Sequence, residues 1–309
     1  MAFARGWHEC SIFVTSTWTN SDQTLVTAPS QTRLAWPALH FTSAWCCTYH
    51  RCVQVLGLGC ALNSRTLLAD IDLEVVDGPL ALLGPSGAGK SLALRCMLGL
   101  APPRSTVRGE IILTDGRRAR LDDRRGVAAL RGRGLCLLPQ DAAASLDPVR
   151  RVEAQLHELL RVHDNRDDSP TALLAQVGLT VEMLRRYPHE LSGGQAQRVA
   201  LALALACRPA VLLADEPSSA LDTIAQAQLM DTLRDTCESL STELVFVTHD
   251  LALAANVCLR AVVLAAGRVI EAGPLTRLVA APSHPVTASI VAAARRADSL
   301  LVDVPEARS

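Results

Sequence analysis

The segment Gly84-Pro85-Ser86-Gly87-Ala88-Gly89-Lys90-Ser91 constrains the fold of this chain more than any other stretch. It fits the pattern G-x-x-x-x-G-K-[S/T] at every fixed position. An apolar run, Leu80 to Leu83, precedes it and reads as a buried strand. An Ala/Leu-rich run, Leu92 to Leu100, follows and reads as a helix stopped by Pro102 and Pro103. Strand, glycine loop and helix together make a phosphate cradle. The glycines let backbone N–H groups wrap an anion, and the helix N-terminus adds positive potential. In this reading Gly84 through Leu92 line the phosphates, Lys90 reaches the terminal ones and Ser91 ligates Mg²⁺. The chain holds 30 lysines and arginines, of which Lys90 alone is lysine. A compact ammonium at that one position, where arginine serves elsewhere, marks a site that a broad planar guanidinium does not fit.

Two further segments complete a constellation. Val211-Leu212-Leu213-Ala214 reads as a buried strand with Asp215 and Glu216 at its C-terminal end, where open α/β sheets bind ligands. Asp215 is placed to hold Mg²⁺ and Glu216 to polarise an attacking water. In Leu191-Ser192-Gly193-Gly194-Gln195, Ser192 and Gln195 form a capping-box pattern ahead of a breaker-free stretch, Ala196 to Ala206. Ser192 is therefore expected to cap a helix whose open N-terminus suits an anion.

Length and composition narrow the class. The 309 residues suit one large α/β domain or two small ones, and 49% hydrophobic residues provide for a packed core. A net charge of -1 argues against nucleic-acid binding by bulk electrostatics. The longest uninterrupted apolar run, Val199 to Cys207, is far short of the roughly 18 residues that span a bilayer. Arg5 has no continuous apolar stretch behind it that would make a signal peptide. The expectation is a soluble chain that can sit on a membrane protein. Residues 1–51 are expected to be an extension outside the fold, or the product of a start codon set too far upstream. Residues 1–50 hold all four tryptophans, only four charged residues, and neither helical nor strand periodicity. Cys96, Cys136, Cys207 and Cys258 sit in apolar runs and are expected to be buried thiols in a reducing compartment.

With Leu191-Ser192-Gly193-Gly194-Gln195 about twenty residues ahead of Asp215, the sequence resembles the nucleotide-binding domain of ABC transporters. The remaining elements of that family occur in order. Gln140 matches the Q-loop glutamine, Ser219-Ala220-Leu221-Asp222 the D-loop, and His249, after the apolar run Leu244 to Val247, the switch histidine. The similarity covers roughly residues 52–290, leaving 291–309 as a C-terminal tail. It implies an α/β fold of the P-loop NTPase type, a RecA-like core with an antiparallel β lobe. A helical subdomain is inserted at about 141–195. It also implies ATP and Mg²⁺ as ligands, Glu216, His249 and Gln140 as catalytic residues, and Ser91, Gln140 and Asp215 around the metal. By this resemblance two such domains close head to tail, so that Ser192 and Gly194 serve a partner's nucleotide, and Gly193, Gln195 and Asp222 are implied as nucleotide-binding residues with them.

Ala144-Ser145-Leu146-Asp147-Pro148 resembles the SLNP stretch of the ATPases of oligopeptide, dipeptide and nickel importers, and Pro282 to Thr287 resembles their HPYT tail. Leu92 after Ser91, and Gly109-Glu110-Ile111, resemble the nickel-type subunit in particular. The implied function is the ATP-hydrolysing subunit of an importer for peptides or nickel complexes. It would lie peripherally on the cytoplasmic face of a bacterial membrane, with a second ATPase chain, two permease subunits and, indirectly, a solute-binding protein. The alternative is an ABC-like ATPase of a phosphonate-breakdown complex or another non-transport ABC ATPase. The chain departs from the family in one respect: between Cys52 and Leu83 it has no aromatic residue to stack on adenine, and Leu62 occupies the nearest position by spacing.

Overall fold

The computed structural model describes residues 52–76, 78–165, 167–219 and 221–302. The expected extension 1–51, the D-loop residue Ala220 and the end of the tail, 303–309, lie outside the described residues. Six strands form one sheet: β3 (Leu80–Leu83), β6 (Leu135–Leu138), β7 (Val211–Asp215), β8 (Glu243–Val247), β9 (Arg260–Ala265) and β10 (Arg268–Pro274), in the order β10-β9-β3-β8-β7-β6. Neighbours are parallel except the β9–β10 hairpin. These strands read as unbroken apolar runs because both faces are covered. Leu80, Leu82, Val211, Leu213, Val245 and Val247 point into one core cluster, and Ala81, Leu83, Leu212, Ala214, Leu244 and Phe246 into the other. Strict alternation between two buried faces fixes the register, since a slip of one residue would exchange the two sets.

A second sheet is antiparallel: β1 (Cys52–Leu62), β2 (Arg65–Val76), β4 (Ser105–Ile112) and β5 (Arg118–Arg120), in the order β2-β1-β4-β5. Its apolar face shares a core with α1 (Lys90–Met97) and the large sheet through Val53, Val55, Leu58, Ile71, Leu94 and Ile111. This is the expected antiparallel lobe beside an α/β core. A short helix, α2 (Arg124–Leu130), follows it and is capped by Asp123, whose carboxylate accepts from Arg125 N–H.

Between β6 and α5 (Gly193–Ala206) lies a helical segment: α3 (Val152–Val162), α4 (Pro170–Gln176) and 3₁₀ turns at 143–145, 181–185 and 188–190. Val152, Leu156 and Leu160 of α3 and Leu173 and Leu174 of α4 pack with Val199 and Leu201 of α5. After β7 come α6 (Thr223–Leu240), β8 and α7 (Leu251–Val257), and after β10 come α8 (Leu275–Ala280) and α9 (Pro285–Val302). Among the described residues no helix is long and apolar enough to cross a membrane.

Two expectations need correction. The helix after the glycine loop ends at Met97, ahead of Pro102 and Pro103. Gly99, with φ at 65°, turns the chain left-handed, and Gly99 and Leu100 N–H bond back to Cys96 and Arg95 carbonyls at 3.0 and 2.8 Å. That is a glycine C-terminal stop, and the prolines only follow it. Cys96, Cys207 and Cys258 are buried as expected, but Cys136 is only partly so, because its side of β6 opens onto a groove beside α5.

Two lone polar residues hold the segments that mark the importer-type resemblance. Gln155 on α3 accepts from Asp147 N–H at 2.9 Å and donates to the Asp147 and Arg150 carbonyls at 3.1 and 3.0 Å, fixing the turn after Ser145-Leu146. Glu271 on β10 accepts from Ser283 and His284 N–H at 2.9 and 3.2 Å, tethering the start of α9. Burial pushes the Glu271 carboxyl up, but the Thr287 hydroxyl and these two N–H groups outweigh it and hold it below the ordinary range. A depressed folded-state pKa means the tether's stabilisation is present above the unfolded carboxylate pKa and lost as pH falls through the folded one. Glu271→Gln should therefore lower Tm at neutral pH by about 2–4 °C. The difference from wild type should shrink as pH falls through the folded pKa. Melting curves of both proteins across the acid range check this; a gap that widens on acidification contradicts it.

Candidate nucleotide site

The glycine loop leaves the C-terminal end of β3 with a conformation only glycine accepts at two points. A Cβ on Gly84, φ 148°, would lie 2.2 Å from Leu264 O, and one on Gly89, φ 104°, 2.6 Å from Leu68 Cδ2. The loop is thus clamped between β9 and the start of β2. Gly267 N–H donates to Ala88 O at 3.0 Å, and Ala69 N–H to Gly267 O at 2.8 Å, closing the same clamp. A Cβ on Gly87 would meet nothing within 4 Å, so the loop's mouth is open.

Lys90 opens α1 and folds back into the loop. Its ammonium donates to Gly84 O at 2.8 Å and Pro85 O at 3.2 Å. Burial pushes its pKa down, and the carboxylates of Glu216 and Asp215 push back. Ser91 Oγ donates to Asp215 Oδ1 at 2.8 Å, joining α1 to the end of β7. Burial pushes the Asp215 carboxyl up; the Ser91 bond, Arg95 and Lys90 oppose this, and Glu216 adds to it. A hydroxyl and a carboxylate in direct contact are hard oxygen donors, and a carboxylate held up by burial beside another carboxylate gains most from a cation. The pair fits Mg²⁺.

Glu216 follows Asp215 with φ at 45°, a left-handed conformation uncommon outside glycine, asparagine and aspartate. Its N–H is bonded to Val247 O at 3.0 Å, at the end of the neighbouring strand β8. That turn brings its carboxylate Oε2 to 3.1 Å from His249 Nδ1. His249 is exposed, and Glu216 is largely covered. Backbone strain of this kind persists where surrounding structure over-determines it, and it collects at functional positions.

Four adjacent parallel strands, β3, β8, β7 and β6, therefore end at one edge and deliver in turn Lys90 with Ser91, His249, Asp215 with Glu216, and Gln140. This edge is where open α/β sheets bind ligands. Gln140 stands exposed two residues past β6. The structure does not bring Ser192 to Gln195 into this group. Ser192 caps α5, with Gln195 N–H donating to its Oγ at 3.3 Å and Gln195 Oε1 accepting from Ser192 N–H at 2.9 Å. A Cβ on Gly194 would have Leu221 and Ala225 as its neighbours, and one on Gly193 would face open space. The five-residue signature thus sits against the described part of the D-loop, where Asp222 caps α6 through Ala225 N–H at 2.9 Å.

Comparison with known proteins agrees with this geometry. The family profile described as ABC transporter matches residues 68–219. A dimeric structure of the ATP-binding cassette MJ0796 in a post-hydrolysis state with ADP and Pi superposes with a TM-score of 0.59 at 25% identity, covering 72% of this chain and 98% of that one. The chain belongs to the ABC transporter family and is an ATP-hydrolysing cassette of it. It is 36% identical over 235 residues to a probable peptide ABC transporter ATP-binding protein of Sinorhizobium fredii, covering 72% of this chain and 70% of that one. It is 35% identical to the oligopeptide transport ATP-binding protein OppD of Bacillus subtilis, over 69% of this chain and 62% of that one. A peptidoglycan transport ATP-binding protein, YejF, of Agrobacterium fabrum is 37% identical, and the chain spans 40% of its length.

Proposed function

We propose that this chain is the energising subunit of an importer for peptide-like substrates. It would lie peripherally on the cytoplasmic face of a bacterial membrane and pair with a second ATPase chain and two permease subunits. A solute-binding protein would act through the permeases. The observation that carries the catalytic part is the contact of His249 Nδ1 with Glu216 Oε2 beside the Ser91–Asp215 pair. In this reading Lys90 leaves its two carbonyl partners for the terminal phosphates of ATP, which the loop's N–H groups hold. Ser91, Asp215 and Gln140 hold Mg²⁺, which supplies positive charge to the phosphate oxygens when bound. Glu216 accepts a hydrogen bond from the attacking water and draws off its proton, and His249 keeps the carboxylate turned toward that water.

The open space over Gly193 and the outward-facing cap at Ser192 support a second nucleotide contact made by this chain on a partner. Val149, Val162 and Val181 are exposed apolar side chains of the helical segment. They support a docking face for a permease on that segment. The relatives' names support the peptide arm of the sequence expectation rather than the nickel arm. Growth or uptake on labelled di- to hexapeptides, in a strain deleted for this gene and complemented with it, tests the substrate class. Restored peptide uptake is expected, and restored nickel uptake alone contradicts the peptide arm.

The β1–β2 hairpin, with Leu62 at its edge, lies a few residues from Leu67 and Leu68, which pack on the glycine loop. Adenine is expected to lie there against an aliphatic side chain. Leu62→Tyr should tighten ATP-analogue binding about fivefold to tenfold, since a ring on a base is worth about 1–3 kcal/mol and a partly exposed site gives the low end. Titrations with a fluorescent ATP analogue, with Tyr placed in turn at Ala61, Leu62 and Asn63, check this. Unchanged affinity at all three rules out adenine stacking at this hairpin.

A further inference from the structure

We propose that Gln226 is a positioning residue for hydrolysis: its side-chain amide clips the turn that follows Glu216 and so sets where the Glu216 carboxylate stands. This rests on the reading of Glu216 as the group that draws a proton from the attacking water. Gln226 lies near the start of α6, and its Nε2 donates to Ser218 O at 3.0 Å, eight residues back along the chain. Only the nitrogen end of an amide donates to a carbonyl, so this contact dictates which way the amide is turned.

The backbone of Glu216 is held on both sides. Its N–H donates to Val247 O at 3.0 Å, and its carbonyl accepts from Ser219 N–H at 3.2 Å. With φ at 45° the residue is in a left-handed conformation that persists only where its surroundings impose it. The first contact is anchored by β8. The second depends on the turn from Glu216 to Ser219, which belongs to no helix or strand. Ser218 is buried within that turn, and its carbonyl takes two donors, Leu221 N–H at 3.1 Å and Gln226 Nε2 at 3.0 Å. Leu221 is part of the same irregular stretch. Gln226 belongs to a helix that packs on the core through Leu229, Met230 and Leu233. It therefore ties the turn to a rigid element, and a group held from a rigid element is placed more precisely than one held by a loop alone.

Helix capping does not explain the contact. Asp222 caps α6, its carboxylate accepting from Ala225 N–H at 2.9 Å and its carbonyl from Gln226 N–H at 2.8 Å. The helix start is satisfied without the Gln226 side chain, which reaches back past the cap to the turn. The groups read as holding phosphate and Mg²⁺ have other partners: Lys90 bonds to Gly84 O and Pro85 O, and Ser91 to Asp215. Loss of the Gln226 amide should therefore slow hydrolysis and spare ATP binding.

The test is a double-mutant cycle on the full chain assembled with its partner subunits, read by single-turnover hydrolysis of radiolabelled ATP with Mg²⁺. Gln226→Leu, which removes the donor, should slow hydrolysis about tenfold, the scale of loss when a reacting group is displaced by a fraction of an ångström. ATP affinity, titrated separately, should stay within about twofold of wild type. Gln226→Glu has the same shape and, when ionised, no donor, so it should slow hydrolysis as much. In the Glu216→Gln background Gln226→Leu should cost less than about twofold, because the carboxylate it positions is already gone. Circular dichroism confirms that each variant is folded. Wild-type hydrolysis in either Gln226 variant, affinity that falls in step with the rate, or effects that multiply in the double variant overturn the proposal and leave Glu216 as the base. Wild-type hydrolysis in Glu216→Gln overturns both.

Discussion

Glu216→Gln is expected to slow ATP hydrolysis by about 100- to 10,000-fold while leaving ATP affinity within about twofold of wild type. The amide keeps the size and planarity of the carboxylate, so the left-handed turn and the bond from Glu216 N–H to Val247 O remain possible. What is lost is a base able to take a proton from water. The partner bond changes too: the amide oxygen still accepts from His249 Nδ1, now 3.1 Å from Oε2, but it carries no charge. His249→Ala should give a smaller loss, about 10- to 100-fold, because it removes only the group that holds the base in place. Phosphate release assays on the assembled transporter measure both. A Glu216→Gln protein that turns over at the wild-type rate places the base elsewhere.

Lys90→Ala is the second large effect. Loss of one preorganised charge donor in a phosphoryl-transfer site costs about 100- to 1,000-fold in turnover, and here ATP affinity should fall with it. Lys90→Arg is expected to fail nearly as badly. The ammonium is held between Gly84 O and Pro85 O at 2.8 and 3.2 Å within a loop where even a Cβ on Gly84 or Gly89 would collide with Leu264 or Leu68. A planar fork has no room to sit in the same way. Circular dichroism separates loss of function from loss of fold, and a Lys90→Arg protein with wild-type turnover would show that charge alone suffices.

Much of the site was legible because its signals are local. The glycine loop, the apolar runs Leu80 to Leu83 and Val211 to Ala214, and the Ser192–Gln195 capping box each carry their structure within a few residues, and each element forms where its pattern lies. The stop of α1 was misplaced because Pro102 and Pro103 are the louder signal, although Gly99 acts first in the chain. Contacts set by sheet order were beyond the sequence's own patterns. His249 meets Glu216 only because β8 lies beside β7, with Asp215 paired to Val247. The adjacency of Gly194 to Leu221 depends in the same way on α5 packing against α6. Gln155 and Glu271 were missed, although Gln155 had left a trace: it interrupts the apolar stripe Val152, Leu156, Leu160, and a polar side chain on a core stripe needs partners. Glu271, on a half-exposed strand, left none.

The central claim is that this chain binds ATP through the glycine loop and breaks it with Glu216. The most direct test is to mix the Glu216→Gln protein with Mg²⁺ and radiolabelled ATP, remove free nucleotide, quench, and separate what remained bound. Recovery of intact ATP from the variant, under conditions where the wild type yields ADP, is the predicted result. ADP recovered from the variant as fast as from the wild type would contradict it.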